Sequence, residues 1–152
     1  MIVPRFLIMN DVMLKCNYIL VVAFVMLVLG SGIYIFFREE VIFTSWIPDS
    51  WMAVLPNYGD KIDSESLVGR IFLYSLADGL WYGSLLLFDL LLRNNTPYSR
   101  VITLLTISLP FVFELLQLCH VMRGTFDWID IIIYLLTLST FLLCSRKFYF
   151  KR

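Results

Sequence analysis

"NYILVVAFVMLVLGSGIYIFF", residues 17–37, contains no charged side chain. A helix rises 1.5 Å per residue, so about 20 apolar residues suffice to cross the hydrocarbon core of a bilayer. The run therefore reads as a membrane span. Arg5 and Lys15 precede it and Gly30-Ser31-Gly32 supplies small residues, which is the layout of a signal peptide. The apolar run continues through "IYIFF" beyond those small residues, and this favours a retained span over a cleaved one.

Working outward, three further runs have the same character: residues 71–92, 101–121 and 127–145. The chain of 152 residues is 60% hydrophobic and only 16% charged, and a soluble domain of this length has too little interior for that much apolar surface. The expected fold is all-α: a single integral membrane domain over residues 1–152, a four-transmembrane-helix bundle with an interfacial outer loop. With 12 basic and 12 acidic residues the formal charge is zero, and nothing in the overall charge points to nucleic acid. Cys16, Cys119 and Cys144 form no paired framework and no C-x-x-C. No nucleotide-binding or nucleophile-elbow signature is present, so no cofactor is expected.

Basic residues set the expected orientation. Arg5, Lys15, Arg93, Arg100, Arg146, Lys147, Lys151 and Arg152 fall on one side of a four-span chain, and Arg38, Lys61, Arg70 and Arg123 on the other. Eight against four places both termini and the 93–100 turn in the cytoplasm. The sequon Asn94-Asn95-Thr96 is then cytoplasmic and carries no glycan. The 38–70 connection holds Trp46 and Trp51 between Pro48 and Pro56, aromatic anchors expected at the outer membrane surface, with Asp63 or Ser64 capping the helix that enters the second span.

Against this apolar background, "FELLQLCHVMRGTFDWID" (113–130) concentrates polar groups. Glu114, Gln117 and His120 follow one another at i+3 late in the third span. Arg123 lies in the turn, and Asp127 and Asp130 open the fourth span. In the second span Asp78 sits roughly 10 Å below the outer end at 1.5 Å per residue, with Tyr82 one turn further on the same face. Three helices thus carry polar groups to one depth in the outer leaflet. Asp78, Tyr82, Glu114, Gln117, Arg123, Asp127 and Asp130 are the candidate site residues.

An acid at the centre of a span costs about 2.5–3.5 kcal/mol to insert, whereas an interhelical polar contact returns only about 0.6 kcal/mol. Helix pinning alone is a poor reason to keep these residues. Four acids face one Arg123, so the excess must be protonated, solvated or met by a cation. A lone His120 without a second histidine at helical spacing makes no metal site, and none is expected. Pro110 should disturb the helix just before Glu114, and Asp89 should pair with Arg93 at the inner end of the second span.

Glu114-Leu-Leu-Gln117, then Arg123, then Asp127 and Asp130 entering the last span, resembles the VanZ-like family of small bacterial membrane proteins. The likeness is concentrated in about the last 40 residues. Family members commonly carry an asparagine four positions after the last aspartate and a glycine three positions beyond that. Here Tyr134 and Thr137 stand there instead, and either Asp127 or Asp130 fits as the equivalent acid. The resemblance implies a multi-pass protein of the bacterial cytoplasmic membrane with a cell-envelope role. It also implies a link to resistance against lipoglycopeptide antibiotics of the teicoplanin type. The expected partners are the bilayer itself, an envelope lipid or a lipophilic antibiotic, and a further copy of the chain. Two other functions share these residues: an enzyme acting on lipid-linked envelope substrates, with paired acids as general acid and base, and a small proton-coupled transporter subunit, which would have to form a homo-oligomer.

Overall fold

Among the described residues, four helices are long and apolar enough to cross a membrane. The computed structural model describes residues 5–37, 66–122 and 125–149, with positions 48, 50 and 58. The expectations placed on Trp46, Trp51, Asp63, Ser64 and Arg123 lie outside the described residues. Helix α1 runs Arg5–Phe37, α2 is the short Leu67–Arg70, and a π-helical turn at Ile71–Ser75 leads into α3, Leu76–Leu92. Helix α4 is Pro97–Leu118 and α5 is Trp128–Tyr149. The result is an all-α bundle of four membrane-length helices.

The helix ends follow from local chemistry. Ser66 Oγ accepts a hydrogen bond from the Gly69 backbone N–H at 3.0 Å, so Ser66 caps the start of α2. Thr96 caps α4 by accepting from Ser99 N–H at 3.3 Å, with Pro97 at the first helical position, where its missing N–H costs nothing. The third span therefore begins at Pro97, earlier than the residue 101 expected from hydropathy alone. Asn94 braces the same turn, its Oδ1 accepting from Thr96 N–H at 3.1 Å.

The far end of α4 also departs from the 101–121 expectation. A Schellman motif ends the helix: the His120 N–H reaches the Gln117 carbonyl and the Val121 N–H the Leu116 carbonyl, both at 2.9 Å. His120 takes the left-handed φ of 56° that this motif requires and is exposed. It lies in the turn, so the i+3 row of polar residues stops at Gln117. At the end of α1, Tyr58 donates its N–H to the orphan carbonyl of Phe36 at 2.7 Å. Phe37 then packs between Tyr58 and Phe72, at 6.0 and 5.6 Å between ring centroids.

Helix α3 is the centre of the bundle, packing against α1, α4 and α5. Small residues set its close approach to α1 and α5. Ala77, Gly79, Gly83 and Ser84 are all buried, and Gly79-x-x-x-Gly83 is the spacing that lets membrane helices approach closely. A Cβ on Gly79 would stand 2.5 Å from Ile133 Cγ2 of α5. One on Gly83 would meet Met26 Cε of α1, and one on Gly30 of α1 would run into the Trp81 ring.

Candidate functional site

The carboxyl groups of Asp78 on α3, Glu114 on α4 and Asp130 on α5 lie within electrostatic range of one another at one end of the bundle. Glu114 is 4% exposed and Asp130 9% exposed, so both are withdrawn from the outer surface of the helices. Each helix delivers its acid for a separate local reason. The π-helical turn feeds α3 so that Ser75 and Ala77 are buried and Asp78 is partly buried beside them. Glu114 sits one turn before the Schellman closure of α4. Asp130 lies in the first turn of α5.

Asp127 has a different position. Its Oδ1 accepts from Ile129 N–H at 2.9 Å, which makes it the N-cap of α5. Its own backbone N–H points at Glu114 Oε2 across 3.4 Å, and this joins the start of α5 to the end of α4. Asp127 therefore organises the turn while Asp130 is buried with the other acids. Gln117 is half-buried nearer the end of α4, and among the described residues no hydrogen bond ties its side chain to the acids.

Phenols complete the group. Tyr34, near the end of α1, donates its hydroxyl to Asp78 Oδ1 and stands edge-on to Trp81 at 5.8 Å. Tyr134, one turn beyond Asp130 on α5, lies within electrostatic range of all three acids. It packs edge-to-face with Tyr82 at 5.6 Å and Phe111 at 5.9 Å. All four membrane-length helices thus contribute to the site. Neither Tyr34 nor Tyr134 was among the candidates from sequence. Tyr134 stands at i+4 from Asp130 and so shares its face. Tyr34 could have been found by applying the depth argument to α1 as well.

Tyr82 has a structural task that Pro110 explains. Proline brings no N–H for the carbonyl of Thr106, and its ring crowds the preceding turn. The Tyr82 hydroxyl donates to the neighbouring Ile107 carbonyl at 3.1 Å, so a side chain of α3 supports α4 where its own ladder is weakest. At the opposite end of the bundle, buried Asp89 accepts from Arg93 Nη2 at 2.6 Å and from Thr103 Oγ1 at 2.9 and 3.1 Å. That acid is fully engaged in holding α3 to α4. Among the described residues no three His, Cys, Asp or Glu side chains are arranged to hold a metal ion.

Fold and site together define a polytopic helical membrane protein with a carboxyl-rich site built between its helices at one end. No protein-family model, curated protein or solved structure matches this chain.

Proposed function

We propose that this chain is a VanZ-like protein of the bacterial cell envelope, with both termini in the cytoplasm and the acidic site facing outward. There it binds the cationic part of an amphiphile, either an envelope lipid head group or a lipoglycopeptide antibiotic of the teicoplanin type. The observation that carries the reading is the convergence of Asp78, Glu114 and Asp130 from three helices. Ionisable groups at membrane depth are expensive and are retained for function by default. Asp130 is then the equivalent of the family's acid, because Asp127 is spent on capping α5. Carboxyl groups gathered at one place between helices favour a positively charged ligand.

Antibiotic susceptibility in a sensitive bacterial host tests this, with teicoplanin compared against vancomycin. Wild type, Glu114→Gln and Arg123→Ala are expressed at matched membrane levels. Wild type should protect selectively against teicoplanin, and both variants should lose that protection. Protection retained by Glu114→Gln would remove the acidic site from the function, and no protection by wild type would remove the antibiotic and leave the envelope lipid.

A further inference from the structure

Between α3 and α4 the packing leaves a cavity of about 460 Å3, within the range of roughly 300–1,000 Å3 typical of ligand sites. Its walls include Leu27, Trp81, Leu85, Leu109 and Phe113, and Asp78 is the carboxylic acid among its lining residues. Trp81, Leu85, Leu109 and Phe113 are each 40–42% exposed, so the cavity is a furrow open along its side. All of these residues belong to membrane-length helices, so the opening faces hydrocarbon. From Asp78 to Phe88 the furrow follows α3 for about 15 Å at the helical rise per residue. That is half of the ~30 Å hydrocarbon core. Pro110 lines it, and the proline ring with the Tyr82–Ile107 hydrogen bond holds this part of α4 in place across it.

We infer that this furrow seats the hydrocarbon chain of a membrane amphiphile that carries a protonated amine, with the amine held among Asp78, Glu114 and Asp130. Water does not fill an apolar channel of this kind, and the bilayer supplies chains of the matching chemistry at the open side. The commitment to an amine comes from charge complementarity. Asp78 and Tyr134 belong both to the furrow wall and to the acidic group, so a chain lying in the furrow brings its head to the carboxyl groups. The inference rests on the proposed function for the head group and adds a separate site for the tail.

Three probes separate head from tail in the full chain reconstituted in phosphatidylcholine nanodiscs: dodecylamine, dodecanol and butylamine. A ligand that binds the folded state raises the unfolding midpoint. Dodecylamine should raise it by several degrees at a tenfold lower mole fraction than either other probe. Leu85→Phe with Leu109→Phe, which narrows the furrow, should abolish that shift, as should Glu114→Gln. With Trp46, Trp51 and Trp128 replaced by phenylalanine, dodecylamine brominated along its chain should also quench Trp81, a readout that leaves the furrow unaltered. Equal stabilisation by butylamine and dodecylamine would overturn the furrow and leave the acidic site standing. Equal stabilisation by dodecanol and dodecylamine would overturn the amine and with it the proposed head-group chemistry. No shift and no quenching with any probe would overturn both.

Discussion

Asp89 and Arg93 are joined by one ion pair, yet the two residues are not equally replaceable. The Asp89 side chain is 4% exposed and that of Arg93 29%, at the end of the span. Removing Arg93 leaves a buried carboxylate with Thr103 as its remaining partner, and breaking a buried pair in this way costs about 3–5 kcal/mol. Replacing Asp89 by asparagine keeps a polar partner for Thr103, and a long side chain near the interface carries its own charge out to the head groups. The loss is then that of an ordinary hydrogen bond, about 1 kcal/mol. Arg93→Ala should therefore lower the unfolding midpoint in mixed micelles well below that of Asp89→Asn. Negligible losses from both would show that the pair is solvated and structurally idle, and the reverse order would show that the charge of Asp89, not its neutralisation by Arg93, holds the contact. The pairing itself was legible in the sequence, because i and i+4 on one helix are neighbours by geometry alone. Thr103 was not, since it comes from another helix and no spacing rule reaches it. The same distinction runs through the candidate site. Asp78, Glu114 and Asp130 stood out as acids in apolar runs, whereas Tyr34 and Tyr134 looked like ordinary aromatic residues until their neighbours were known.

For the helices, the deciding quantity is how near two backbones come. Alanine is favoured over glycine inside a helix by up to about 1 kcal/mol, while overpacking a filled contact costs about 1–3 kcal/mol. Which effect wins depends on what the new methyl meets. At Gly32 it would find only Phe36 Cδ2 at 4.0 Å; at Gly83 it would press on the flexible end of Met26. At Gly79 it would strike the branched Ile133 side chain, and at Gly30 the rigid ring of Trp81. The expected order of unfolding midpoints is thus Gly32→Ala at or above wild type, Gly83→Ala slightly below, and Gly79→Ala and Gly30→Ala several degrees lower. A destabilised Gly32→Ala beside a neutral Gly30→Ala would refute the close approach of α1 to α3. Hydropathy was enough to find the four spans, because length and apolarity are properties of each segment by itself. It placed the start of α4 too late, since the polar Thr96–Arg100 stretch hides a cap and an N-terminal proline inside what looks like a loop. The central position of α3 could have been read from Gly79-x-x-x-Gly83, a pattern of small residues that a search for apolar and charged ones passes over.

At the scale of the whole molecule, the two ends of the bundle differ in kind. One holds the Asp89–Arg93–Thr103 lock and the tight 93–96 turn, where Asn94, Thr96 and Ser99 hold the start of α4. The other holds the carboxyl group of three acids and the mouth of the furrow. The proposed function needs the second end to face outward, and the basic residues of the connections favour that orientation. Cys119 provides a native probe, since it is exposed at the α4 terminus beside the acidic end. In a chain with Cys16→Ser and Cys144→Ser, a membrane-impermeant maleimide should label Cys119 in intact cells. In the companion chain, with Cys119→Ser and Asn95→Cys, labelling should appear only after lysis, because position 95 lies in the turn at the opposite end. The reverse pattern would turn the molecule over and put the acidic end in the cytoplasmic leaflet. No ligand arriving from outside the cell would then reach Asp78, Glu114 and Asp130. The furrow would draw its occupant from the inner leaflet instead, and the antibiotic reading would fall while the amine and chain chemistry stayed open to test.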